Sequence, residues 1–393
     1  MRKLGLLPKL IISIILGILL GLFIPETFLR VFVTFSELFG SFLKFIVPLM
    51  IIGFVVKGIS DLTSGAGKLL GITTIFSYVS TIVAGLFAFA VALNLFPNFI
   101  SQATLDSINN SSVPSLEPYF TIDIPPMIDV TSAIVLSFML GISISTLRCK
   151  KIGDTMYNVF SEFSEIIVHV LNNAVIPLLP VFILGTFANM TYTGQTFKII
   201  SVLWKVFIVV ILLHTITLLV QFTIAGIVKR QSPIKLMKNQ IPGYITALGT
   251  QSSAACIPVN IKCAENNGVC EEIRNFVIPL CSNIHMAGSV ITITCCVTAV
   301  LMMYNMDLSV HIMIPFIMTL GVAMVASPGA PGGSIMSALP FMPLVGISPQ
   351  GTIASLLIAL YITQDSFGTA ANVSGDNAIA IMVDSIYKKF IKR

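Results

Sequence analysis

Residues 365–376 read Asp365-Ser366-Phe367-Gly368-Thr369-Ala370-Ala371-Asn372-Val373-Ser374-Gly375-Asp376, inside an apolar segment that runs from about 351 to 387. A carboxylate at the centre of a membrane helix costs about 2.5–3.5 kcal/mol, so two of them call for partners. At about 100° per residue, Asp365, Thr369, Asn372 and Asp376 fall at about 0°, +40°, −20° and +20°, which puts them in one stripe. Such a stripe can simply hold helices together by hydrogen bonds. Two acids with no Lys or Arg between Arg274 and Lys388 argue for more. Whatever neutralises them should then come from outside the fixed chain. Hard cations favour carboxylate and carbonyl oxygen. The residues therefore point to a ring of oxygens around Asp376 for a metal ion, and to Asp365 held for an amine.

The rest of the chain makes lipid the solvent for that helix. Of 393 residues, 55% are hydrophobic and 10% charged, and the mean hydropathy is +0.96. A soluble domain carries about 25% charged residues. Apolar segments near 5–25, 36–58, 70–97, 128–148, 154–188 and 197–228 read as six membrane helices. With the N-terminus in the cytoplasm, 17 of the 22 basic residues fall at inner ends, among them Lys229, Arg230, Lys235, Lys238 and Lys388. The outer stretch 98–129 has four acids and no Lys or Arg. Both termini are thus expected in the cytoplasm, in a cytoplasmic (inner) membrane. The net charge of +5 is spread over helix ends and forms no nucleic-acid patch. Arg2 and Lys3 before an apolar run resemble a signal peptide, but no small-residue cleavage site follows, so a retained first helix is expected.

After Lys238 the pattern changes. Thr250-Gln251-Ser252-Ser253-Ala254-Ala255 and the stretch Ala326 to Ser334 each separate two apolar arms too short to cross alone. Backbone outside helix geometry at membrane depth must be buried in protein or line a wet cavity, as in a re-entrant hairpin. A third break, Pro279 to Gly288, divides the segment from about 275 to 304.

Enzyme readings fail on particular residues. Gly65-Ala66-Gly67-Lys68 resembles the end of a phosphate loop, but Leu62 and Leu69 stand where Gly and Ser or Thr belong. Asp365 and Asp376 are about 16 Å apart by helix rise, too far for an aspartyl protease pair. The seven cysteines show no metal spacing with His and read as free thiols. Glu162, Glu165 and His169 recur at helical spacing near an inner end and read as interfacial. His214 reads as packing. No cofactor is expected.

From about residue 34 onward the chain resembles the dicarboxylate/amino acid:cation symporter family, which contains the glutamate transporters and the bacterial serine/threonine symporters. The resemblance rests on Gln251-Ser252-Ser253 with Pro258-Val259, on Pro279-Leu280 with His285-Met286, on the Gly/Pro tip at 326–334, and on Asp365 through Asp376. The N-terminal quarter matches mainly in hydropathy. The resemblance implies an all-α membrane protein of eight transmembrane helices and two re-entrant hairpins, a homotrimer working as an elevator. Residues 1–69 would form scaffold helices one and two, 70–97 core helix three, and 98–196 an outer loop with scaffold helices four and five. Residues 197–393 would complete the transport core: helix six, a first hairpin at about 240–268, helix seven at 275–304, a gating second hairpin at 312–346, and helix eight at 350–388.

Carried over by position, Ser253 and Asn372 would hold a substrate carboxylate, Asp365 its ammonium, and Thr369 would line the side-chain pocket. Ser252, Ala330 and Gly368 complete the implied substrate set. Asp376 with backbone oxygens of Cys281, His285 and Asn372 would form one sodium site, and carbonyls of Ser327 and Asn283 would contribute to a second. Members that take acidic substrates have an Arg where Gly368 stands, and archaeal members have one at Gln251. Without that cation a second substrate carboxylate would be buried unpaired. The expected cargo is a small neutral amino acid, serine, threonine or alanine, coupled to sodium. A third cation site in the family pairs an Asn and an Asp with a Thr. Here the matching residues are His285, Ala287 and Thr81, so the carboxylate is missing, and a proton at His285 is one way to replace the cation. The rivals are a dicarboxylate substrate, proton coupling, and an uncoupled channel lined by the same stripe.

Overall fold

The computed structural model describes residues 6–63, 68–100, 116–325, 327, 332–349 and 351–390. It is helical throughout, with no strand among the described residues. Five stretches are long and apolar enough to cross a membrane: Glu26–Ser60, Leu69–Asn98, Asp154–Tyr192, Ile199–Lys229 and Glu271–Met303. The protein is accordingly a multi-pass membrane protein.

The first half is built from α1 (Leu6–Phe23), α2 (Glu26–Thr63), α3 (Lys68–Leu95), α4 (Val130–Cys149), α5 (Asp154–Val170), α6 (Ile176–Tyr192) and α7 (Thr196–Lys229). The segments expected to span at 5–25 and 128–148 contain shorter apolar helices, Pro8–Phe23 and Val135–Cys149. The fifth expected helix is divided: α5 passes into α6 through a π turn at Leu171–Val175. Pro177 and Pro180 follow it. Each lacks the N–H that regular winding needs, and a π turn is one way a helix absorbs such a mismatch.

The second half consists of short arms: α8 (Pro233–Thr250), α9 (Ser253–Asn266), α10 (Glu271–Ile284), α11 (Ala287–Met303), α12 (Val310–Val325) and α13 (Gly333–Ala338). One long helix, α14 (Thr352–Phe390), follows. The α8–α9 turn has a local cause. Gln251 adopts left-handed geometry at φ 54°, and the Ser252 side chain caps α9 by accepting from the Ala255 amide at 3.3 Å. Pro242, Pro258, Pro279 and Pro315 lie inside α8, α9, α10 and α12 respectively. Each removes a backbone donor from its arm.

Two packing groups emerge. α1 lies along α6, and α2 along α4 and α6, while α11 is enclosed by α3, α7 and α14. α11 is buried on every side except at Met302, as expected for a helix that is apolar all round. It approaches α14 so closely that a Cβ on Gly288 would collide with the Gly368 carbonyl. Only glycine permits that crossing, and the crossing places the α10–α11 break against the polar stripe.

Candidate substrate and cation site

The break between α10 and α11 exposes backbone groups, and α14 satisfies them. Asn372 Oδ1 accepts the amides of Gly288 at 2.8 Å and Ser289 at 3.2 Å, the first free donors of α11. Its Nδ2 donates to Ser289 Oγ at 2.9 Å and to Met286 Sδ at 3.3 Å. Thr81 on α3 accepts the Met286 amide at 3.3 Å. The break is thus held from two sides.

Asp365 is buried and engaged at both oxygens. Tyr361 Oη donates to Oδ1 at 2.8 Å, and the Gly332 amide, at the start of α13, donates to Oδ2 at 2.7 Å. The Thr369 hydroxyl approaches the same carboxyl group. Ser289 connects the surroundings, because Tyr361 Oη lies 3.1 Å and Ser334 Oγ 3.2 Å from its hydroxyl.

Asp376 is also buried, with a different partner. His285 Nδ1 lies 3.0 Å from Oδ1. Gln221 Nε2 donates to Ser80 Oγ at 2.8 Å, and Ser80 Oγ lies 3.1 Å from His285 Nε2. A neutral imidazole protonated at Nδ1 satisfies this whole chain: Gln221 to Ser80, Ser80 to Nε2, and Nδ1 to Asp376. Room for the ring comes from Gly375, where a Cβ would collide with His285 Cε1. Asp376 Oδ2 is buried without a hydrogen-bond partner among the described residues.

These contacts correct one expectation. The acids were expected to lack partners within the chain, because only Lys and Arg were counted. Tyr361, a backbone amide and His285 supply donors instead. Magnitudes separate the two acids. A hydrogen bond to a charged group contributes about 1.5–3 kcal/mol, against about 2.5–3.5 kcal/mol for a central membrane carboxylate. Two such bonds offset the cost at Asp365. One bond and an orphaned oxygen leave Asp376 short, and a hard cation at Oδ2 is the complement that donor set fits.

The other expected residues are distributed as follows. Cys281 is buried, and its carbonyl accepts the His285 amide at 2.9 Å. Ser253 is buried at the start of α9, beside the half-exposed cap Ser252. At the same tip Gln251 Nε2 donates to Ser366 Oγ at 2.8 Å, next to Asp365. Ser327 is buried, with its Oγ unpartnered among the described residues. Asn283 is exposed, and its amide turns back to the Pro279 carbonyl at 3.1 Å. No hydrogen bond joins Ser327 to Asn283 among the described residues. Gly368 faces α11, where a Cβ would meet Thr292 Oγ1 at an ordinary 3.5 Å, so the position accepts a Cβ. Ala330 lies outside the described residues. Glu162, Glu165 and His169 are exposed. His214 does more than pack: its Nε2 lies 3.0 Å from the Gly288 carbonyl and 3.1 Å from Thr292 Oγ1. None of the seven cysteines forms a disulfide.

The sequence profile of the Sodium:dicarboxylate symporter family matches residues 6–386. Among curated proteins, the serine/threonine transporter SstT of Acinetobacter baylyi is 25% identical over 410 residues, covering 98% of both chains. SstT of Acinetobacter baumannii is 28% identical over 399 residues, covering 97% of both chains. SstT of Enterococcus faecalis is 27% identical over 399 residues, covering 95% of this chain and 90% of its own. Taken with the broken helices and the buried acids, the full-length profile match establishes that the chain belongs to the sodium:dicarboxylate symporter family and is a membrane transporter, not an enzyme.

Proposed function

We propose that the protein imports a small neutral amino acid, serine, threonine or alanine, across the cytoplasmic membrane by symport with sodium. The observation that carries the cargo is the absence, among the described residues, of any Lys or Arg bonded to the Asp365, Asn372 and Asp376 cluster. A substrate side-chain carboxylate would be buried there without a counter-charge. The serine/threonine transporters that the chain resembles support the same cargo.

In this reading the substrate ammonium replaces the Gly332 amide at Asp365, and its carboxylate takes over the Asn372 Nδ2 now spent on Ser289. Ser252 and Ser253 close the carboxylate side from the first hairpin tip, and Ala330 belongs to the same substrate set by resemblance alone. Thr369 and Gly368 border the side chain. Sodium binds at Asp376 Oδ2 with backbone oxygens of Cys281, His285 and Asn372, and a second ion uses carbonyls of Ser327 and Asn283. The imidazole of His285, set between Ser80 and Asp376, takes the place of a third cation. Packing supports a division into a scaffold of α1, α2 and α4–α6 and a core of α3 and α7–α14, moving as an elevator in a homotrimer. Both termini lie in the cytoplasm.

Competition in proteoliposomes tests the cargo. Labelled serine uptake should be inhibited by excess threonine or alanine and not by aspartate, and Gly368→Arg should gain saturable aspartate uptake because the new guanidinium pairs the second carboxylate. Saturable aspartate uptake by the unmodified protein, uninhibited by serine or alanine, would overturn the proposal.

A further inference from the structure

Beside the turn from α7 into α8 lies a cavity of about 600 Å³ whose lining includes none of the residues assigned above to substrate or cation. Leu218 and Phe222 of α7 and Ile241 and Tyr244 of α8 form apolar walls, Lys238 adds a charge, and Ser374 of α14 adds a hydroxyl. Ser374 is 2% exposed, and its Oγ has no hydrogen-bond partner among the described residues. The hollow is lined mainly by apolar side chains, as a site for an acyl chain must be. The cavity opens onto an apolar surface, since Leu219 and Ile241 are 45% and 50% exposed.

The charge carried by the α7–α8 stretch itself has one sign. Residues 229–238 read Lys-Arg-Gln-Ser-Pro-Ile-Lys-Leu-Met-Lys, and no Asp or Glu occurs from 166 to 264. Lys229 lies 3.8 Å from Asp384. Arg230, Lys235 and Lys238 are exposed and form no ion pair with a described residue. Lys235 and Lys238 are neighbours at i,i+3 spacing on α8, and Lys238 is the one that also lines the cavity.

We infer that this cavity is a binding site for one anionic phospholipid, with its phosphate at Lys235 and Lys238 and an acyl chain between α7 and α8. A free anion would meet the lysines and leave the apolar walls bare. A neutral lipid would fill the walls and ignore the unpaired cations. An anionic lipid matches both, as basic pockets between membrane helices do elsewhere. The inference requires only that the chain spans a membrane, so a failure of serine transport would leave it standing.

Native mass spectrometry of the full-length protein in detergent, titrated with phosphatidylglycerol or phosphatidylcholine of equal chain length, tests it. Phosphatidylglycerol should be retained at least about ten-fold better, and Lys235→Gln with Lys238→Gln should weaken retention roughly ten- to thirty-fold. Ile241→Trp, which fills the cavity with every charge in place, should also lower retention. Excess glycerol 3-phosphate should displace nothing. Equal retention of the two lipids overturns the site. So does unchanged retention in Ile241→Trp, which would mean a basic surface patch only, and so does displacement by glycerol 3-phosphate.

Discussion

Gly375 decides whether His285 can reach Asp376. A Cβ at that position would come within 2.8 Å of Gln221 Oε1 and collide with the imidazole. Gly375→Ala should therefore push the ring off Asp376 and remove one hydrogen bond to a buried carboxylate, worth about 1.5–3 kcal/mol, or ten- to a hundred-fold in an equilibrium. The half-saturating sodium concentration for serine uptake should shift by at least ten-fold. An unshifted sodium curve would show that the pair has no part in cation binding. Asp365, Thr369, Asn372 and Asp376 were legible as a stripe because one helical period generates it. Tyr361 sits one turn earlier, at about −40° on the same face, and extending the stripe by a turn would have found it. Ser289, Ser80 and Gln221 leave no comparable signal. Each is one of several polar residues scattered along an apolar helix without a shared stripe, and only tertiary packing brings it to the site.

The two hairpins are attached to α14 in unequal ways. The arms of the first are held by buried amides. Asn377 Nδ2 donates to Gln240 Oε1 at 2.6 Å, Asn260 Nδ2 to the Val373 carbonyl at 2.8 Å, and Gln240 Nε2 to Asn260 Oδ1 at 2.9 Å. Satisfied buried networks of this kind rigidify what they join. The second hairpin reaches the site through the Gly332 amide on Asp365 and the Ser334 hydroxyl on Ser289. Asp365→Ala should thus speed hydrogen exchange across 332–338 by at least ten-fold and leave α8 and α9 unchanged. Asn260→Ala should do the reverse. Equal protection of both segments in both variants would contradict this unequal attachment. The breaks themselves were legible, since Gly, Pro and Ser interrupt apolar arms. The π turn at Leu171–Val175 was not, because Asn172, Asn173 and the prolines that follow do not by themselves specify a change of winding.

At the scale of the molecule, composition already required a membrane, and charge asymmetry suggested its orientation. Neither could reveal that α11, enclosed by α3, α7 and α14, is the axis against which the buried acids are set. The central claim is that Asp376, buried with Oδ2 unpartnered among the described residues, couples cargo to a cation. The direct test is labelled serine accumulation in proteoliposomes with and without an inward sodium gradient, for the unmodified protein and Asp376→Asn. The account predicts accumulation above equilibrium only with the sodium gradient, and at least ten-fold less of it in Asp376→Asn. Equilibration without a gradient, accumulation on a proton gradient alone, or full sodium-driven accumulation by Asp376→Asn would contradict it.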